Sequence, residues 1–194
     1  TGKQIIAHPL KYADQVSPVS AYTLVHFQRA IQKQNAMLMT SRGCMHHCSF
    51  CYNQTFYQRH WVSVDLERWK ADVRLLKSLG MNNIEAGDDW IGGWNRAKGI
   101  VRFLSEESIH YVVGIRANQI TDDVAREMQT LNVRHVIIGM ESGSQRLLDL
   151  CEKGIALDDQ IQCAQALARY RIHPQYTWIF GLPTETPAEF KQTL

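Results

Sequence analysis

Short apolar segments alternate along this chain with segments whose apolar residues recur at helical spacing, and this alternation constrains the fold most. Strands connected by helices run parallel in one sheet, because each helix carries the chain back across a face of that sheet. The sequence therefore predicts an α/β protein. The expected strands are 36–41, 83–87, 111–116, 135–140 and 175–180. The expected helices are 65–79, 100–105, 121–131, 144–150, 158–170 and one that opens at Thr186-Pro187.

Repeated strand–helix units favour a TIM-type (β/α) barrel, with a doubly wound open sheet as the alternative. The chain ends within the helix after the fifth expected strand, so we expect a partial barrel whose last elements are missing. The segment 1–35, which Pro9 and Pro18 interrupt, is expected to be a lead-in or linker. The catalytic core is then expected to span 36–194.

Composition narrows the functional class. A formal net charge of +2 gives no indication of a nucleic-acid partner or an anionic membrane surface. No apolar run approaches the roughly 20 residues that cross a bilayer. The first residues have no signal-peptide pattern, and the five cysteines are odd in number and unevenly spaced, unlike a secreted disulfide framework. We therefore expect a cytoplasmic protein.

Polar and glycine residues cluster directly after the expected strands. In a parallel barrel these positions share the carboxyl-terminal rim, where active sites form. Loops are polar in general, but five such positions in register make an active site the better interpretation. The candidates are the cysteines after the first strand, Asp88 and Asp89 after the second, Arg116 at the third, Glu141 to Ser144 after the fourth and Gly181 after the fifth.

Three cysteines, Cys44, Cys48 and Cys51, have the spacing C-x-x-x-C-x-x-C. Thiolates this close in sequence can reach one metal centre, and a four-iron cubane with three local thiolates has one iron free for another ligand. A zinc site completed by His46, His47 or His60 is an alternative, as is an electron-transfer module without chemistry of its own. The remaining cysteines, Cys151 and Cys163, are expected to be small buried residues.

The motif resembles the signature of the radical S-adenosylmethionine (SAM) superfamily, with Phe50 in its aromatic position. The resemblance implies a partial (β/α)6 barrel and a 4Fe–4S cluster on Cys44, Cys48 and Cys51. It also implies that SAM binds the fourth iron and is cleaved reductively to a 5′-deoxyadenosyl radical, which acts on a small-molecule substrate. The electron is then expected to come from a flavodoxin or ferredoxin partner.

The same resemblance suggests roles for other residues near SAM. Asp88 and Asp89 would lie near its amino group, where a solvated loop is the alternative. Arg116 would pair with its carboxylate or with the substrate, unless it forms an ordinary salt bridge. Glu141, Ser142 and Ser144 would lie on the ribose side, with a helix cap as the alternative role of Ser144. Ile179 and Gly181 would lie on the adenine side, with a core position as the alternative for Ile179.

The run from Glu141 to Leu150, followed by Lys153-Gly154-Ile155, resembles the branch of the superfamily that carries a cobalamin-binding domain. Members of that branch methylate unactivated carbon, cyclise or rearrange their substrates. A cobalamin domain would lie outside this chain, so the reaction subclass stays open. Trp90 to Trp94, around Gly92 and Gly93, is expected either to line a substrate pocket or to pack in the core.

Overall fold

A computed structural model describes residues 35–194 and shows one sheet of five parallel strands. The spatial order of the strands follows their order in the chain, so each strand pairs with the preceding strand of the sheet. A doubly wound sheet reverses its order at a switch point, and the described strands have no such reversal. The strands of this sheet are β1 (Asn35–Leu38), β4 (Asn83–Ala86), β5 (His110–Gly114), β6 (His135–Glu141) and β7 (His173–Trp178).

A two-stranded antiparallel hairpin follows β1 and consists of β2 (Ser41–Gly43) and β3 (Trp61–Ser63). We expected one strand over 36–41, but the chain leaves the sheet after Leu38. The physical reason is at Thr40, whose backbone N–H donates to Asp88 Oδ1 at 3.1 Å instead of continuing the ladder. The hairpin therefore projects from the carboxyl end of the sheet, and the cysteines lie within it.

Among residues 35–194, each of the six predicted helices is present, and a short α-helix at Asn53–Phe56 was not predicted. A short 3₁₀ turn, Ala117–Gln119, follows β5. The α-helices are α1 (Asn53–Phe56), α2 (Leu66–Ser78), α3 (Trp94–Glu106), α4 (Asp122–Thr130), α5 (Gln145–Leu150), α6 (Leu157–Arg169) and α7 (Pro187–Thr193).

Two boundaries differ from the prediction. Helix α3 begins at Trp94, earlier than the expected 100–105, because Trp94, Ala97 and Val101 already form one buried face. Strand β7 begins at His173 and includes Pro174, which we placed before the strand. Proline is tolerated there because β7 is an edge strand of the described sheet.

The core lies between the sheet and the helices that pack on it. Val113, Val136 and Ile138 of the central strands are completely buried. Four of the helices contribute a buried side chain to this core: Trp69 from α2, Leu104 from α3, Met128 from α4 and Leu167 from α6. No helix between residues 35 and 194 is long and apolar enough to cross a membrane. The predicted lead-in segment lies outside the described residues, apart from Asn35.

Candidate active site

The cysteine loop, residues 44–52, leaves β2 and leads to α1 before the chain returns through β3. Gly43 precedes the loop with a φ of 79°, and a side chain there would collide with the His60 carbonyl across the hairpin. Only glycine suits this position, because it has no Cβ and accepts a positive φ. The loop is fixed to α5 because the Ser49 N–H donates to the Cys151 carbonyl at 2.9 Å.

All three loop cysteines are free thiols; Cys48 is buried, and Cys44 and Cys51 are half-buried. Burial raises the pKa of Cys44 most, and the neighbouring Cys48 and Cys51 raise this pKa further. Cys44 is therefore within electrostatic reach of the other two thiols. The Asn53 amide also donates to Cys51 Sγ at 3.5 Å, so one sulfur already has a hydrogen-bond donor.

The chemistry of these donors fits an iron–sulfur cluster. Within the described residues, no three His, Cys, Asp or Glu side chains are arranged as around a single metal ion. In a cubane each thiolate binds a different iron, so three cysteines can share a cluster without converging on one point. Thiolate clusters carry negative charge, and the cations Arg116 and Lys153 lie beside the loop. Ligation by Cys44, Cys48 and Cys51 stays a prediction.

Arg116 follows β5 and is buried against the loop. Its Nη1 donates to Cys48 Sγ at 3.7 Å. Its Nη2 donates to the Lys153 carbonyl and, at 3.4 Å, to the Gly154 carbonyl. None of the salt bridges among residues 35–194 includes Arg116. The alternative of an ordinary salt bridge is therefore not found in this part of the chain, and the guanidinium faces a cysteine sulfur.

The two aspartates after β4 have different surroundings. Asp88 accepts hydrogen bonds from the Thr40 hydroxyl at 2.9 Å and the Ser41 hydroxyl at 2.5 Å. Burial raises its pKa, although these hydrogen bonds and Arg96 oppose the shift. Asp88 therefore connects β4 to the start of the hairpin. Asp89 is exposed and accepts from the Gly43 N–H at 3.2 Å and from the Tyr52 hydroxyl, which places its carboxylate at both ends of the cysteine loop.

Glu141 ends β6 and forms a buried ion pair with Lys153, whose Nζ lies 2.6 Å from Glu141 Oε1. Gly139 makes room for this pair, because a side chain at Gly139 would collide with both charged groups. Glu141 has a φ of 66°, which is uncommon for a residue with a side chain and often occurs at functional sites. The end of β6 therefore combines an uncommon backbone conformation at Glu141 with a carboxylate that points toward Lys153.

Ser142 and Ser144 are buried and face α7. Ser144 Oγ donates to Glu189 Oε1 at 2.9 Å and caps α5 by accepting from the Leu147 N–H. Ser142 Oγ lies 3.4 Å from Thr193 Oγ1. The expected helix cap at Ser144 is confirmed. The contacts of both hydroxyls favour a positioning role for this segment, whereas a direct role toward ribose stays a prediction.

The remaining predicted residues lie around the same end of the sheet. Ile179 is partly buried, and its N–H donates to the Glu141 carbonyl at 2.9 Å. Gly181 donates to Glu185 Oε2 at 2.5 Å and has a φ of 79°. Phe50 is 39% exposed, with the Lys153 ammonium 5.9 Å from its ring centre. Phe50 therefore connects the cysteine loop to the Glu141–Lys153 pair.

An aromatic cluster also contacts the loop, through His46. The His46 ring packs edge-on against Trp90 with centres 5.1 Å apart, and Trp90 packs against Trp61 at 5.5 Å. Burial, followed by the positive charges of Arg116 and Lys153, lowers the pKa of His46 to about 4. Trp94, by contrast, is a core residue of α3 whose indole N–H donates to Glu127. Trp90 therefore contacts the loop through His46, and Trp94 fits the alternative expectation of a core residue.

Sequence reasoning did not find three neighbours of the site. Lys153 is the partner of Glu141, Tyr52 is a partner of Asp89, and Cys151 lies beside the loop. The predicted burial of Cys151 and Cys163 is confirmed. The thiol of Cys48 contributes to raising the pKa of Cys151, after burial, so Cys151 has a thiol neighbour. The Glu141–Lys153 pair could have been suggested by the sequence, because an acidic residue and a lysine lie near opposite ends of the segment 141–155.

A cavity of about 840 Å³ lies elsewhere, near the amino ends of the parallel strands. Its lining includes Ala36, Asn83, Tyr111 and His135, at or near the starts of four strands, together with apolar residues of α3. The cysteine loop follows the opposite ends of the strands. Because none of the predicted site residues lines this cavity, we assign the chemistry to the carboxyl-terminal end instead.

The chain is similar to several known proteins. An uncharacterised methyltransferase of Pyrococcus horikoshii is 28% identical over 183 residues, covering 91% of this chain and 40% of the relative. A tRNA-2-methylthio-N(6)-dimethylallyladenosine synthase of Chlorobaculum tepidum is 25% identical over 173 residues, covering 82% of this chain and 39% of the relative. The chain therefore spans about two-fifths of the length of these relatives.

Among solved structures, the radical S-adenosylmethionine methyltransferase TsrM from Kitasatospora setae, with cobalamin and a 4Fe–4S cluster bound, has a TM-score of 0.68. The match covers 81% of this chain and 31% of TsrM at 18% identity, which shows a shared fold. The family model of the Radical SAM superfamily matches residues 38–194, from the end of β1 through α7. Since that match includes the cysteine loop and every described strand end, the chain belongs to the Radical SAM superfamily.

Proposed function

We propose that this chain is the catalytic core of an enzyme that cleaves SAM reductively and transfers a methyl group to a small-molecule substrate. The observation that carries the proposal is the cysteine loop, which holds three free thiols and has a buried guanidinium 3.7 Å from the sulfur of Cys48. Cys44, Cys48 and Cys51 would hold a 4Fe–4S cluster. When bound, the cluster supplies the electron that cleaves SAM and yields the 5′-deoxyadenosyl radical.

The residues around the loop would bind and orient SAM. Asp89 is exposed beside Gly43 and Tyr52, and its carboxylate suits the amino group of SAM. Glu141 would approach the ribose hydroxyls, with Lys153 holding its carboxylate in place. Ile179 is only partly buried, which leaves apolar surface for the adenine ring. Asp88 would act indirectly, because it fastens the hairpin through Thr40 and Ser41.

The complete protein would extend beyond the described elements. The sequential strand order and the similarity to TsrM support a partial (β/α)6 barrel that further strand–helix units complete. We also propose a cytoplasmic location and a flavodoxin- or ferredoxin-type protein as the electron donor. Cobalamin would bind through a domain outside this chain, as the resemblance of Glu141 to Leu150 to the cobalamin-associated branch suggests.

Methylthiolation of tRNA is the second candidate. It is supported by the similarity to the Chlorobaculum tepidum relative, whose name gives that activity. The formal net charge of +2 favours a small-molecule substrate, since RNA binding usually depends on a strongly basic surface. The two candidates share the cysteine loop and differ in the acceptor and in the group transferred.

The test is anaerobic iron–sulfur reconstitution of the full-length protein, followed by measurement of 5′-deoxyadenosine formed from SAM with dithionite. Wild type should form it. Cys48→Ala should lose both the cluster absorbance and the product, whereas Cys163→Ala, a buried cysteine away from the loop, should retain both. Isotope label from the SAM methyl group, followed into small molecules or tRNA, distinguishes the two acceptors. A zinc-loaded protein without iron or product would contradict the proposal.

A further inference from the structure

Arg116 is a buried cation whose charge the described part of the chain does not neutralise. Arg116 is only 9% exposed, and its Nε is buried without a hydrogen-bond partner. Lys153, the other buried cation beside the loop, is paired with Glu141 at 2.6 Å. Burying an unpaired charge is costly, so a group like Arg116 is expected to face an anion when the protein is in its working state.

The contacts of Arg116 identify the direction from which that anion would come. Its Nη2 is held by the carbonyl groups of Lys153 and Gly154, which fix the guanidinium at the turn after α5. Its Nη1 reaches Cys48 Sγ at 3.7 Å, within the buried part of the loop. The side chain therefore reaches the sulfur from a fixed point, and it can donate to a thiolate without rearrangement.

We propose that Arg116 is a positioning residue that faces the cluster through Cys48 and stabilises its reduced form. This inference depends on the proposed function, because it requires the cluster on Cys44, Cys48 and Cys51. It differs from the role expected of Arg116 by resemblance, which was to pair with the SAM carboxylate or the substrate. The guanidinium acts on a cysteine sulfur and therefore on the electron-accepting step before any substrate is bound.

The expected effect of Arg116 on the reduction potential follows from its positive charge. Reduction by an external one-electron donor adds one negative charge to the cluster and releases no leaving group. A cation held beside a cluster sulfur stabilises the more negative state more strongly, and hydrogen bonds to the sulfurs tune the reduction potential of such clusters. Without Arg116 the cluster should be harder to reduce. We expect the equilibrium constant for reduction to fall about tenfold, a shift of about 59 mV toward more negative potential for one electron.

The experiment is an anaerobic redox titration of the reconstituted full-length protein without SAM, monitored by electron paramagnetic resonance. Arg116→Gln should retain the cluster and show the shift. Arg116→Lys, which retains a charge without the planar fork, should lie between Arg116→Gln and wild type. Arg169→Gln removes an exposed arginine of α6 that pairs with Asp122, and its potential should equal that of wild type.

The possible results distinguish failure of the proposed role of Arg116 from failure of the proposed enzymatic function. If wild type takes up no iron and sulfide, the proposed function fails. If wild type holds the cluster and the folded Arg116→Gln and Arg116→Lys variants keep its potential, the inference alone is wrong. Weaker SAM binding by these variants at unchanged potential would assign Arg116 to the SAM carboxylate instead. If Arg116→Gln does not fold, the potential of Arg116→Lys decides the question.

Discussion

At the scale of single residues, the site depends on buried charges that neighbouring groups hold in place. The Glu141–Lys153 pair is the clearest case, with side chains that are 9% and 7% exposed. Removing one member of such a pair leaves a buried charge unpaired, which usually costs about 3–5 kcal/mol. The exposed pair Arg126–Asp123, with side chains 59% and 80% exposed, is the natural comparison, since surface pairs contribute at most about 1 kcal/mol.

We therefore expect Lys153→Met to lower the free energy of unfolding of the cluster-free protein by several times more than Arg126→Met. Adding Glu141→Gln to Lys153→Met should recover part of the loss, because the unpaired carboxylate is then removed. Urea unfolding followed by circular dichroism measures all four proteins, wild type included. Equal losses for Lys153→Met and Arg126→Met would show that the buried pair contributes no more than a surface pair.

At the scale of elements, the Glu189 carboxylate attaches α7 to the start of α5. Glu189 accepts from Arg146 Nε and Nη2, each at 2.7 Å, and from the Ser144 hydroxyl at 2.9 Å. It also completes a capping box with Thr186 at the start of α7. These donors, Arg146 first, hold the pKa of Glu189 well below its usual range. A seven-residue helix is too short to be stable alone, so its position depends on these contacts.

The pH dependence of stability follows from this shift. Since the pKa of Glu189 is lower in the folded chain than the ordinary value of about 4.3, its contribution is complete above that value. The contribution is lost as the pH falls below about 4 toward the folded-state pKa. Glu189→Gln should therefore be less stable at neutral pH and lose less on acidification. Urea midpoints from pH 7 to pH 3, with exposed Glu67→Gln as control, measure this; parallel curves for wild type and Glu189→Gln would contradict it.

The elements that the sequence predicted best are those defined by local patterns. Asp65 and Thr121 cap helices α2 and α4, and both helices lie within a residue or two of their predicted bounds. The β2–β3 hairpin was missed because its cause is not local: Thr40 leaves the ladder to bind Asp88, 48 positions later. The cysteine spacing identified the metal-binding candidates. No local pattern could reveal that Arg116 faces Cys48, since 68 positions separate them.

At the scale of the whole molecule, two kinds of hydrogen bond connect the cysteine loop to the end of α5 and the turn that follows it. One is the backbone hydrogen bond from Ser49 to Cys151, and another runs from Cys48 through Arg116 to the turn at Lys153. Helix α6 begins shortly after this turn, but its buried face packs in the hydrophobic core. A change in the stability of the loop should therefore alter the stability of the turn but not that of the hydrophobic core.

Hydrogen–deuterium exchange of the cluster-free and anaerobically reconstituted proteins tests this expectation. Binding of a group to the native state stabilises the segments that contact it, because their local opening then requires its release. We expect slower exchange in the cysteine loop and in the turn 151–154 after reconstitution, with unchanged exchange in α6. In Arg116→Gln the protection of the turn should weaken while that of the loop remains. Uniform slowing across α6 and the central strands would show instead that the cluster stabilises the whole domain as one unit.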